Sequence, residues 1–254
     1  MYPAHGPLTL LARIACALCL IVVVLGAYVR LSAAGLGCPD WPGCYGHVTP
    51  AGAAANATES AAQFGGQTVE VAKAWKEMIH RYAAGTLGFL ILIIAALAIQ
   101  YRRQPVLKPA LAIGLLALVM AQGMLGMLTV TWQLKPLIVT AHLLLGLATL
   151  SLLWWIVLTL ARFRPLAVAT VGAAGAPGTI TSLDAAAGSR LQRWAIAALA
   201  VLVVQIWLGG WTSSNYAATA CPDLPKCQNA WLPTTDFRNA FVLWRGLGVN
   251  YEGG

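Results

Sequence analysis

The chain has 254 residues, of which 59% are hydrophobic and only 9% charged, and its mean hydropathy is +0.73. A soluble domain carries roughly a quarter charged residues, so a single water-soluble globule is excluded, as is a disordered chain, which lacks such apolar content. Six cysteines are too sparse for a small disulfide scaffold, and the net charge of +8 comes from short Lys and Arg clusters between apolar runs rather than the basic, aromatic-interleaved face of a nucleic-acid binder.

A bilayer core needs about 20 mostly apolar residues per helix. Such runs occur at 11–29, 82–101, 109–130, 137–160 and 194–212, which predicts five spans. The first is not a cleavable signal peptide, because Tyr28, Arg30 and Leu31 follow it in place of a small-residue cleavage site. Trp132, Trp154, Trp155, Trp194 and Trp211 fall near span ends, where an interfacial aromatic belt would sit. Between the fourth and fifth spans, residues 165–190 hold Gly172, Gly175, Pro177, Gly178 and Gly188 without helical periodicity, and read as a flexible linker.

Orientation follows from the short loops, where the positive-inside rule applies best. The turn near 102–108 carries Arg102, Arg103 and Lys108, whereas the turn near 131–136 carries only Lys135. Cys38, Cys44, Cys221 and Cys227 all fall in the two long loops on the opposite face, and paired cysteines persist in oxidising compartments. An N-terminus on the cytoplasmic side satisfies both observations.

Those two loops also repeat. Cys38-Pro39-Asp40-Trp41-Pro42-Gly43-Cys44 follows the first span, and Cys221-Pro222-Asp223-Leu224-Pro225-Lys226-Cys227 follows the fifth. Both read C-P-D-x-P-x-C, with Gly26 and the Gly209-Gly210 pair at comparable approaches, which indicates a duplication of a four-helix unit. Four is even, so the two units enter the membrane in the same direction. On that reading the chain stops at Gly254 inside the loop leading to the second unit's second helix, and a truncated protein is expected.

Two histidines stand at the outer ends of alternate spans. His80 lies in Glu77-Met78-Ile79-His80-Arg81 at the start of the second span, and His142 lies in Thr140-Ala141-His142, about six residues or roughly 9 Å inside the fourth. Two neutral imidazoles opposed across a helical bundle are an arrangement that holds haem iron. The alternative is a pair of hydrogen-bonded residues without metal. Zinc is disfavoured, since the spans offer no third histidine or carboxylate. Gly85, Gly88, Gly123, Gly126 and Gly146 would leave room for a planar macrocycle or for close helix contact.

Glu77 shares a helix face with His80. It reads either as a charge complementing a helix N-terminus or as a carboxylate beside a cofactor edge that takes protons or steadies a cationic intermediate. Arg30 and Arg81 either pair with haem propionates or snorkel to the interface. Each outer Cys pair, six residues apart across a Pro-Asp-x-Pro turn, is either a structural disulfide or a redox-active pair. Cys16 and Cys19 read as small apolar packing residues, and His5 and His47 as exposed loop residues.

Taken together, Gly26-Ala27-Tyr28-Val29-Arg30-Leu31-Ser32, Gly35-Leu36-Gly37-Cys38-Pro39-Asp40-Trp41-Pro42, Glu77-x-x-His80-Arg81, Lys135-Pro136 and Thr140-Ala141-His142 resemble the haem A synthase family. Gly209-Gly210-Trp211-Thr212-Ser213-Ser214-Asn215-Tyr216-Ala217 and Cys221-Pro222-Asp223 extend the likeness. The resemblance implies an all-α polytopic membrane protein with eight spans in two four-helix halves, five of them present here. It implies an oxidoreductase acting on a CH or CH2 group, which converts the C8 methyl of haem O to the formyl of haem A for cytochrome oxidase. Carried over by motif, His80 and His142 are the axial pair for substrate haem, Glu77 the acidic residue beside it, and Cys38 with Cys44 and Cys221 with Cys227 the outer disulfides. The chain then divides into a four-span haem-binding half (1–164), the linker (165–190) and an incomplete second half (191–254). The family's haem b cofactor has its ligands on helices beyond Gly254. The partners implied are haem O, the haem O synthase supplying it and membrane lipid, with a homo-oligomer left open and nucleic acid excluded. The location implied is a bacterial inner membrane, with no mitochondrial transit peptide before the first span and the Cys loops periplasmic. Two other classes fit parts of the pattern: a quinone-linked thiol oxidoreductase using the outer Cys pairs, and a dihaem b electron-transfer cytochrome.

Overall fold

The computed structural model describes residues 5–104, 106–162, 182–217, 220–223 and 225–244, and among these it is all helical apart from two isolated bridges. The helices are α1 (His5–Leu31), α2 (Pro50–Ala55), α3 (Ala57–Gln63), α4 (Val71–Gln100), α5 (Pro109–Thr131), α6 (Pro136–Arg162), α7 (Ser182–Ser214) and α8 (Phe237–Ala240). Five of them, α1, α4, α5, α6 and α7, are long and apolar enough to cross a membrane. The shortest, α5, has 23 residues and rises about 34 Å, enough for the hydrocarbon core.

The spans are longer than the hydropathy pattern alone predicts. α4 starts at Val71 rather than near residue 82, because its first turns are polar on one side and pack under the outer loop on the other. α7 starts at Ser182, so its first turns lie within the segment read as linker, while residues 163–181 fall outside the described residues. Proline opens α5 and α6, where a missing N–H costs nothing. Gln133 and Leu134, both at positive φ, turn the chain between them, and Leu134 N–H closes onto Thr129 O at 2.7 Å.

α1, α4, α5 and α6 each pack on two neighbours and close a four-helix ring, whereas α7 packs on α6 from outside. The larger cluster of fully buried apolar residues gathers at one end of the ring: Leu8, Ala12, Ala15 and Cys19 of α1, Ile91, Ile94 and Ala98 of α4, Leu115 of α5, and Leu153, Ile156 and Leu160 of α6. Cys16 and Cys19 are free thiols inside that core, as packing residues should be. His5 is not an exposed loop residue: it begins α1 and its Nε2 lies 3.0 Å from Leu160 O. The apolar plug therefore fills the half of the ring remote from the disulfide loops, and His80 and His142 occupy the other half.

Both Cys motifs fold alike. Cys38–Cys44 and Cys221–Cys227 are disulfides, each followed by a bridge, Cys44 to His47 and Cys227 to Ala230. In the first loop the Asp40 carboxylate accepts from Tyr45 N–H at 2.6 Å and Gly46 N–H at 2.9 Å. In the second, Asp223 accepts from Gln228 N–H at 2.7 Å and Asn229 N–H at 2.8 Å, which holds its carboxyl below the usual range. The residues donating to each aspartate adopt positive φ in both loops. The helix before each loop also ends alike, with Ala33 and Tyr216 in the left-handed region. The repeated motif is thus alike in conformation as well as in letters.

Candidate functional site

His80 lies nine residues into α4, deeper than the span start expected for it, and His142 lies six residues into α6. α4 and α6 stand diagonally across the ring, each flanked by α1 and α5, so the two histidines belong to opposite corners of it. The Nδ1 atom of each is buried with no hydrogen-bond partner among the described residues. Buried polar atoms are nearly always satisfied in folded proteins, so a pair of orphaned imidazole nitrogens in one interior marks a place built for something else.

Each ring rests on a glycine of a neighbouring helix. A Cβ at Gly26 of α1 would stand 3.0 Å from His80 Cε1, and one at Gly126 of α5 would stand 3.6 Å from His142 Cε1. Gln122, one turn before Gly126, reciprocates: its Nε2 donates to His142 O at 2.9 Å and lies 3.1 Å from where a Cβ on Gly146 would be. Gly85, Gly88 and Gly123 have open space at their Cβ positions, so of the five glycines expected to make room only Gly126 and Gly146 meet a side chain of the site. Gly26 and Gln122 were not legible as site residues. The available signals were the start of the first repeat motif and a lone amide in an apolar span.

Glu77 is buried at 4% exposure, but not as a charge at a helix end, since it is seven residues beyond the N-cap of α4. Its Oε2 accepts from Cys38 N–H at 2.9 Å and its Oε1 pairs with Arg81. Arg81 in turn donates to the carbonyls of Asp40 at 2.9 Å and Gly43 at 2.5 Å. Through its two carboxylate oxygens Glu77 ties α4 to the disulfide loop. Gly37 completes the close approach, for a Cβ there would fall 2.7 Å from the Lys73 carbonyl carbon.

The arginines are occupied by protein groups. Arg30 donates to Tyr216 OH and to Ser213 O, both at 2.7 Å, and stacks on the Tyr216 ring, tying the end of α1 to the end of α7. Neither Arg30 nor Arg81 is placed as an unengaged partner for a propionate. Trp154, Trp155 and Trp194, expected in an aromatic belt, are exposed on the outside of the helices. Trp211 departs from that expectation. It is 4% exposed, clustered with Trp207 and Phe241, and donates through Nε1 to Ala240 O.

Over residues 9–250 the chain matches the cytochrome oxidase assembly protein family, COX15-CtaA. It is 41% identical over 247 residues to the heme A synthase of Shewanella oneidensis, an alignment covering 97% of this chain and 69% of that protein. The chain belongs to the haem A synthase family. The heme A synthases of Halalkalibacterium halodurans and Bacillus licheniformis are each 26% identical to it, over 216 and 220 residues. The chain spans 61% and 62% of the length of those two relatives. Membership in the haem A synthase family together with five apolar helices makes this a multi-pass membrane protein.

Proposed function

We propose that this chain binds haem O between His80 and His142 and takes part in oxidising its C8 methyl to the formyl group of haem A. The observation that carries the reading is the pair of buried, partnerless imidazole Nδ1 atoms, on alternate helices, in a relative of named heme A synthases. The residues present fit an iron ligand pair, because each imidazole is seated on glycine and retains an unsatisfied nitrogen. Haem O would supply the methyl carbon, whose conversion to a formyl group adds one oxygen atom and releases four electrons to an acceptor other than this chain's own residues. The protein's part is to fix its plane. His80 and His142 orient it, the apolar plug below excludes water, and Glu77 with Arg81 holds the disulfide loop across the outer end.

A thiol-exchange role for the first disulfide is disfavoured, because Cys38 and Cys44 are each at 0% exposure and exchange needs an accessible sulfur. We place the N-terminus in the cytoplasm and both Cys loops in the periplasm of a bacterial inner membrane.

The test is extraction of pigment from the purified, membrane-expressed chain, with a pyridine haemochrome spectrum and mass analysis, beside a His80→Ala variant. Haem O or haem A in the parent and neither in the variant is expected. Unmodified haem b alone, retained equally in both, would overturn the reading in favour of an electron-transfer cytochrome.

A further inference from the structure

Gln122 is a polar side chain in the middle of an apolar span, 8% exposed, and only half satisfied. Its Nε2 is committed to His142 O, while its Oε1 is buried with no partner among the described residues. The amide cannot simply be turned over to relieve this, since rotation would bring Oε1 against the carbonyl oxygen of His142, two acceptors facing each other. The bond to His142 therefore fixes which way the orphan acceptor points. Gln122 and Gly126 are one turn apart on α5, His142 and Gly146 one turn apart on α6, and each polar residue sits on the other helix's glycine. The orphan oxygen thus belongs to the α5–α6 seam that also carries His142 and its orphan imidazole nitrogen.

Leaving a buried acceptor unpaired is destabilising, so such an atom persists where something supplies a donor. The imidazoles do not supply it to Oε1, and no hydroxyl or amide of the described residues does either. We propose that Gln122 Oε1 is the hydrogen-bond acceptor for a hydroxyl group on the haem held by His80 and His142, which makes Gln122 a residue that selects hydroxyl-bearing haem. The inference rests on the functional reading above. Haem O carries a hydroxyl on the carbon linking its farnesyl chain, at a position where haem b has a vinyl group. A site that pairs a hydroxyl discriminates against a ligand lacking it, because the acceptor is then left bare.

The experiment is titration of the full 254-residue chain in lipid nanodiscs with haem O and separately with haem b, followed by the Soret band, for the parent and for Gln122→Leu. Dividing each variant affinity by the parent's cancels the contribution of the farnesyl chain. Haem O affinity should fall about 3- to 10-fold, the range of one buried neutral hydrogen bond, while haem b affinity stays within twofold. Unchanged haem O binding would overturn the proposal. So would an equal loss for both haems, which would mean that Gln122 acts only by holding His142. If the leucine variant does not fold, Gln122→Met, of similar length and without a carbonyl, gives the same comparison. A parent chain that binds neither haem would remove the functional reading itself and this inference with it, a result distinct from either outcome for the variant.

Discussion

A methyl group added at Gly26 would meet Cε1 of His80 at 3.0 Å, tighter than side chains normally tolerate, whereas one at Gly126 would meet His142 at an ordinary 3.6 Å. An iron ligand cannot yield a few tenths of an ångström without loss, because the metal fixes its place. Gly26→Ala should therefore lower the haem retained per folded chain several-fold, and Gly126→Ala should leave it close to the parent's; equal retention in the two would mean that His80 is free to move. Tyr45 governs the outer loop at the same scale. It is 1% exposed, its hydroxyl donates to Thr68 O at 3.0 Å, and burial, together with the carboxylates of Glu70, Asp40 and Glu77, pushes its phenol above the usual value. The fold favours the neutral form. Its contribution to stability is thus complete below the ordinary phenol pKa of about 10 and is lost as pH rises through the higher folded value. Tyrosinate absorbance should show a late-titrating phenol that disappears in Tyr45→Phe.

At the scale of elements, the clamp between α4 and the first disulfide loop explains why Glu77 and Arg81 stand one turn apart. Glu77→Gln keeps an oxygen for Cys38 N–H but removes the charge facing Arg81, and breaking a buried pair on one side costs about 3–5 kcal/mol. The expected result is faster reduction of Cys38–Cys44 than in the parent, with Cys221–Cys227 unchanged as an internal control, haem retained and conversion lost. Lost conversion with an unchanged reduction rate would instead give Glu77 a direct part in proton transfer. Sequence alone could not separate these roles. The motif put Glu77 beside His80 through helical spacing, which is local, but the loop it holds lies 39 residues earlier in the chain. The apolar periodicity that reveals spans also stops where a helix emerges from lipid, which hid the first turns of α4 and moved His80 from a helix end to its interior. The disulfide loops were legible because their spacing is local and repeated.

For the whole molecule, the ring of α1, α4, α5 and α6 is plugged at one end by packed aliphatic residues and carries its histidines at the other, and the proposed function divides that one bundle between stability and binding. Its spans, their number and the repeat were readable from composition and pattern. Long-range pairings such as Arg30 with Tyr216, or Gln122 with His142, were not, because nothing in a single sequence records which faces of apolar helices meet. The same division sets the decisive test, which is ligation itself. The low-spin electron paramagnetic resonance signal of ferric haem O bound to the chain should be that of two imidazoles in the parent and should vanish in both His80→Ala and His142→Ala, with external imidazole restoring it in each. An unchanged signal in either variant would contradict the claim that these two histidines hold the iron.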